Sequence, residues 1–342
     1  MNAIAHSVNA AGSAGLWTLA WRRLRADRVA MGSLAVVAAF LLMLLLSASG
    51  LVAAGWEQEV GVNYAPPTFT GAAAAGDQQA LAAQAPVADN PFDPLLDDIK
   101  AIRRQGGQGA VEPAQRRATL PFGADKWGHD IILKTIKGGE TSIVVGLAAA
   151  LLAVGLGTLF GAFAGFYGGV VDDLFNWFYS IFTAIPSILM ILTVAAVLQH
   201  KGVGTIVLIL GLTGWTGPFR LMRAEYMKHK AREYVMAADA IGASSWRKMF
   251  SHIFPNVSHV ALVQLSILVV GFIKAEVILS FLGFGVPVGT VSWGSMLNEA
   301  QTELILGMWW QLTAAALAMA VLVTAFSLLT DALRDALDPK LK

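Results

Sequence analysis

The chain has no cysteine and little charge. Without cysteine there are no disulfides, no thiol nucleophile and no cysteine-ligated metal. Charged residues make up 14% of its 342 residues, against about 25% in soluble domains. Lys and Arg (24) nearly balance Asp and Glu (23), so no basic excess points to nucleic acid. No G-x-x-x-x-G-K-[ST] run occurs, so no phosphate-cradling P-loop is present. G-x-S-x-G and H-E-x-x-H are also missing, which removes the usual marks of a hydrolase.

What remains is apolar: 56% of residues are hydrophobic. Six tracts approach or exceed the ~20 apolar residues that one helical crossing needs: Val29–Trp56, Thr141–Val171, Leu174–Gln199, Gly202–Phe219, Val260–Leu282 and Leu304–Thr330. They are continuous rather than alternating, which predicts helices and not a strand barrel. The expected fold class is all-α, a six-helix polytopic membrane protein in a lipid bilayer. The first tract is about twice the ~7–15-residue core of a secretory signal.

Basic residues orient it. Arg22, Arg23, Arg25 and Arg28 precede the first tract. Arg220, Arg223, Lys228, Lys230, Arg232, Arg247 and Lys248 follow the fourth, and Arg334, Lys340 and Lys342 follow the sixth. Residues 283–303 have no Lys or Arg. Both termini are therefore expected in the cytoplasm. The expected division is a cytoplasmic segment 1–28, a first crossing 29–56 and an external insert with lead-in 57–137. A five-helix core 138–332 and a cytoplasmic tail 333–342 complete it. The Ala/Gly/Gln/Pro-rich filler of the insert predicts partial disorder.

Residues 232–256, "REYVMAADAIGASSWRKMFSHIFPN", stand out as charged and helical between apolar tracts. Val235, Ala238, Gly242, Trp246, Met249 and Ile253 fall at helical spacing, forming one apolar stripe. Gly242 suits the left-handed position past a helix end, Ser244 can cap a second short helix, and Pro255 reads as its stop. Taken alone, the pattern also fits an interfacial helix lying on lipid.

This stretch resembles the EAA loop of bacterial ABC importer permeases, with Ala237-Ala238, Gly242 four residues on, and Ile253-Phe254-Pro255 at its end. "PFGADKWGHDII" (121–132), "AGFYGGVVDDLFN" (164–176), "SFLGFGVPVGTVSWGSML" (280–297) and "DALRDALDPKLK" (331–342) are similar to segments of the dipeptide/oligopeptide/nickel subfamily, in the same order. The resemblance implies a type I ABC importer permease fold with a coupling loop at 224–256. It implies a non-enzymatic subunit that binds no cofactor, with ATP and Mg hydrolysed on partner chains. The implied partners are a second homologous permease, two ABC ATPase subunits and an external solute-binding protein, in the bacterial inner membrane. The implied cargo is peptides, with nickel or another small solute as the alternative. Coupling to the ATPase falls on Tyr234, Ala237, Ala238, Ile241, Gly242, Ala243 and Pro255. Met236 stands where the motif usually has Glu, and His129 where the lead-in usually has Arg.

Two further positions are candidates for the translocation path. Pro186 interrupts an apolar helix and frees carbonyls that can line a path. Glu276 is a charge within the fifth tract, where burial is costly and often functional. It also fits a plain structural bond to a neighbouring helix. Lys274 is two residues away, about 200° around the helix, so the two do not pair. His129 with Asp125 and Asp130 reads as capping rather than metal binding. A secondary transporter would need coupling residues and repeated halves, for which Lys274 and Glu276 are thin support.

Overall fold

The computed structural model describes residues 16–70, 116–198, 200–287 and 289–337. The filler of the insert (71–115), the first 15 residues and Lys340 and Lys342 lie outside this range. Among the described residues there are helices, turns and isolated β-bridges but no strand.

A short amphipathic helix α1 (Leu16–Ala26) leads into α2 (Arg28–Ala48). Asp27 separates them because its carboxylate accepts the amide protons of Val29 and Ala30, capping α2. The first crossing ends at Ala48, so the expected tract stops short, and residues 49–56 form turns instead. Helix α3 (Ile131–Tyr167) is capped by Asp130, whose carboxylate accepts from the Ile132 and Leu133 amides. It therefore starts before Thr141. The charges that hid its first turns are paired: Lys134 sits in an ionic cluster and Lys137 meets Glu140 at 2.8 Å. At about 1.5 Å per residue its 37 residues span some 55 Å, well beyond a ~30 Å bilayer core.

The third and fourth crossings are broken helices. Helices α4 (Gly169–Thr183) and α5 (Ser187–Leu198) meet at 84°, and α6 (Val203–Thr213) and α7 (Thr216–Lys230) at 42°. Next come α8 (Glu233–Ala240) and α9 (Ser245–Phe281). The last two are α10 (Trp293–Ile305) and α11 (Trp310–Leu337). Among the described residues four helices are long and apolar enough to cross a membrane, and the number is six where each bent pair is counted as one span.

The core is built around α3. Gly157, Gly161 and Gly165 face α7 so closely that added Cβ atoms would lie 2.6 Å from the Trp215 oxygen, 2.8 Å from the Phe219 oxygen and 2.5 Å from the Arg223 oxygen. This small-residue face is therefore used inside the chain, whereas Gly155, about 200° around α3 from Gly157, has open space around it. Elsewhere α3 packs Val145, Ala149 and Ala153 with Leu210 of α6, Ile273 of α9 and Leu322 of α11. Arg223 of α7 clamps the start of α4 through two hydrogen bonds to Asp172, at 2.5 and 2.6 Å.

Residues 283–303 are more than a loop. Ser292 caps α10 in a reciprocal box with Ser295, and α10 lies against the outset of α3. The Trp293 indole donates to the Thr135 carbonyl at 3.0 Å, and Gly139 leaves room for its ring. Gly307, at φ +84°, separates α10 from α11, so the sixth tract is split near its start.

Candidate functional site

The charged stretch lies at the end of the bundle where α3, α7 and α11 terminate. Helix α8 runs eight residues and closes on Gly242, whose φ is +75°. The Gly242 amide donates to the Asp239 carbonyl at 2.9 Å and the Ala243 amide to the Ala238 carbonyl at 3.0 Å, a Schellman ending. No atom lies within 4 Å of a Cβ built at Gly242, so backbone conformation alone favours glycine there. Ser244 then caps the next helix, its hydroxyl accepting from the Arg247 amide at 3.3 Å.

That next helix does not stop at Pro255. It continues as α9 into the fifth crossing. Proline lacks an amide proton and crowds the preceding turn, but Lys248–Ile253 form a wider π turn just upstream that leaves room for the ring. Pro255 is exposed on this helix.

The apolar stripe divides in two. Val235 of α8 and Met249 and Ile253 of α9 are buried within the chain, packed with Phe166 and Tyr226, and Ala238 of α8 is buried as well. The Tyr226 hydroxyl donates to the Met249 carbonyl at 3.2 Å. Trp246, expected on the same stripe, is 61% exposed, because the turn at Gly242 breaks the helical register between the two halves. Lys248 pairs with Asp239, holding that carboxyl below the usual carboxylate range. The Lys248 and Lys230 ammonium groups also lie 5.9 and 5.6 Å from the centre of the Phe166 ring.

This packing leaves a second face free. Met236, Ala237 and Tyr234 point outward from α8, Ile241 is 85% exposed at the turn, and Trp246 stacks beside Phe250 at 4.3 Å. Tyr234 is steadied by His229, whose Nδ1 lies 2.8 Å from the phenol oxygen. Of the seven coupling positions read from the sequence, Ala238 is spent inside and Ala243 is half-buried. Tyr234, Ala237, Ile241, Gly242 and Pro255 are at the surface. Met236 and Trp246 belong with the surface set, and their exposure was not legible from spacing alone.

The two path candidates are not brought together. Pro186 is exposed at the 84° bend between α4 and α5. Glu276 is fully buried between α3, α9 and α10. Its carboxylate accepts from the Ser142 and Ser280 hydroxyls, each at 2.6 Å, and Ser142 in turn accepts from the Trp293 amide at 3.2 Å. Lys274 is exposed on the other side of α9. At the far end, His129 bonds Asp125 at 2.9 Å while Asp130 caps α3. No group of three or more potential ligands that could hold a metal ion occurs among the described residues.

Comparison with known proteins gives this arrangement its context. The family profile of the binding-protein-dependent transport system inner membrane component matches residues 157–342. That of the N-terminal TM domain of oligopeptide transport permease C matches residues 15–67. The dipeptide transport system permease protein DppC of Bacillus subtilis (strain 168) is 36% identical over 249 residues, 73% of this chain and 77% of that protein. The oligopeptide transport system permease protein OppC of the same organism is 38% identical over 221 residues, covering 65% and 72%. The dipeptide permease DppC of Haemophilus influenzae (strain ATCC 51907 / DSM 11121 / KW20 / Rd) is 34% identical over 255 residues, covering 74% and 83%. Over half of the chain lies within the first family match, and the broken-helix bundle carries its charged stretch inside that span: the chain belongs to the family of binding-protein-dependent transport system inner membrane components and is a permease subunit of an ABC importer.

Proposed function

We propose that this chain forms, with a second homologous permease, the membrane path for di- or oligopeptides delivered by an external solute-binding protein. Two separate ABC ATPase subunits bind and hydrolyse ATP with Mg. The peptide cargo is supported by the names of the similar permeases, and separate ATPases by the lack of a P-loop in this sequence. Both termini and α8 lie in the cytoplasm, as the Lys/Arg distribution favours.

The observation that carries the coupling role is the split of the charged stretch. Val235 of α8 packs with Phe166 of α3, Tyr226 of α7 and Met249 and Ile253 of α9, which holds α8 to the bundle, while Met236 of α8, Ile241 at the turn and Trp246 of α9 project outward. A helix held on one side and apolar on the other transmits force to whatever grips it, and an apolar helix face seats in a groove of the ATPase. In this reading the bend at Pro186 borders the path. Glu276 acts behind the path, since a fully buried carboxylate touches no solute unless its helices part.

The test replaces the projecting residues. Ile241→Asp and Trp246→Asp should leave the chain folded and inserted yet lose co-purification of the ATPase subunits and ATP-dependent peptide uptake. Retention of both at the native level by the two variants would discard the handle.

A further inference from the structure

At the end of the bundle opposite α8, an ionic cluster joins three helices to the lead-in segment. Lys134 of α3 donates to Asp125 at 2.7 Å, to Glu299 of α10 at 2.6 Å and to Gln311 of α11 at 3.2 Å. An ammonium has three protons to give, so Lys134 is saturated. Gln311 is also spent: its amide nitrogen donates to the Met296 carbonyl and to Glu299, both at 3.2 Å. The lead-in is tied down separately, by the Trp310 indole donating to the Ala124 carbonyl at 2.7 Å.

One turn beyond Glu299, Glu303 is 1% exposed, and neither carboxylate oxygen has a hydrogen-bond partner. A buried, unpartnered carboxylate is expensive as an anion. Its neighbours pull both ways: Asp125 and Glu299 disfavour the anion, while Lys134 and the Lys126 amide, which does not reach hydrogen-bond geometry, favour it. From α10 it faces Glu299; from the lead-in, Asp125 and the Lys126 amide; from α3, Lys134. Tyr64, in the stretch after α2, feels both Glu303 and Asp125. His129 reaches the cluster only through Asp125. With every carboxylate ionised, three acids would share one ammonium.

We propose that Glu303 is a proton-operated latch between α10 and the lead-in segment 116–130. Protonated, it lets the segment lie closed on α10 and α11; ionised, it pushes the two apart to admit water. Burial first, then Asp125 and Glu299, push the Glu303 carboxyl up to about 7, against the pull of Lys134 and the Lys126 amide. In an open state, water restores the ordinary carboxylate range near 4.5. Between these two values the closed state binds more protons than the open one. Closure is therefore fully favoured below about 4.5 and weakens as pH rises toward 7. On the orientation proposed above, the latch senses the outside medium.

The chain has no native cysteine, so spin labels can be placed at will. Trp127 on the lead-in and Ile305 at the end of α10 are both exposed. Labels at Trp127→Cys and Ile305→Cys, in the full chain in lipid nanodiscs, report the gap by electron–electron distance measurement from about pH 5 to about pH 9. Nanodiscs expose both faces, so the result does not depend on orientation or on the transport reading. The expected result is one narrow distance at acid pH and a longer population that grows with a midpoint near 7. Glu303→Gln should hold the narrow distance throughout. Glu299→Gln should move the midpoint toward acid, and His129→Gln should leave the transition in place. A native distance distribution that ignores pH overturns the latch, and so does a transition that survives Glu303→Gln. If Glu303→Gln does not fold, the native titration and the Glu299→Gln midpoint decide it: an unmoved midpoint overturns the latch.

Discussion

Ser142 of α3 gives its hydroxyl proton to Glu276 of α9 at 2.6 Å, with neither side chain exposed. The same hydroxyl oxygen accepts the Trp293 amide, the first turn of α10. One carboxylate thus fixes the mutual position of three helices from within the bilayer-crossing bundle.

Removing it should have a graded effect. Glu276→Ala strands the Ser142 and Ser280 hydroxyls and leaves a cavity. At about 1–2 kcal/mol for the one interhelical hydrogen bond, from Ser142, and more for the void, the variant should melt several degrees lower. Glu276→Gln keeps the volume and one acceptor and should fall between. Lys274→Gln, on the exposed side of α9, should match the native chain. Thermal unfolding of the three purified variants ranks them, and equal melting of Glu276→Ala and Lys274→Gln would remove the joint.

The α3–α7 contact gives a sharper contrast. A Cβ at Gly161 would lie 2.8 Å from both the Met222 Cβ and the Phe219 oxygen, whereas Gly155 has nothing within 4 Å. Gly161→Ala must push backbone away from backbone, an overpacking cost of about 1–3 kcal/mol. Gly155→Ala should be neutral in the single chain. Yield of monodisperse chain on size exclusion is the readout. Should Gly155→Ala instead break co-purification of the second permease with folding intact, the open side of α3 is that partner's seat.

The pattern of what was legible in the sequence follows from locality. The apolar tracts, the left-handed turn at Gly242 and the Ser244 cap each depend on a few neighbouring residues, and the chain adopts all three. Helix α3 was read as starting late because Lys134, Lys137 and Glu140 look like loop charges until their partners are known. Those of Lys134 lie as far off as Glu299 and Gln311. The run through Pro255 was hidden because a π turn has no composition of its own. Trp246 was placed on one stripe with Val235 and Met249 because spacing was carried across Gly242, where the helix ends. The coupling positions were read through resemblance, and only packing separates Ala238, held inside, from Ile241, held out.

That separation changes what a charge at each position does. Ala238 is buried within the chain, so Ala238→Asp places an unpaired charge in the chain's own interior, at a cost of several kcal/mol. It should loosen α8 from the bundle and open residues 232–244 to limited proteolysis before any ATPase is added. Gly242→Val meets no neighbour and pays only for its positive φ, roughly 1–2 kcal/mol. It should fray the end of α8 while leaving the crossings folded. Protease protection in Ala238→Asp equal to that of the native chain would mean that α8 is held from outside.

Topology supplies the last test. The end of the bundle with α8 also holds Arg23, next to the Ala336 carbonyl at 3.4 Å, so α1 and the close of α11 share its side. A chain with six crossings returns both termini and the stretch after the fourth to one face, and that face has the basic residues. Helix α10 and the lead-in fall on the other. Ala240 and Trp127 are exposed at opposite ends, and no native thiol competes. In intact cells an impermeant maleimide should label Trp127→Cys and spare Ala240→Cys until the membrane is opened. Labelling of Ala240→Cys from outside would invert the bundle, put α8 out of reach of any ATPase, and leave its projecting Ile241 and Trp246 without the role proposed for them.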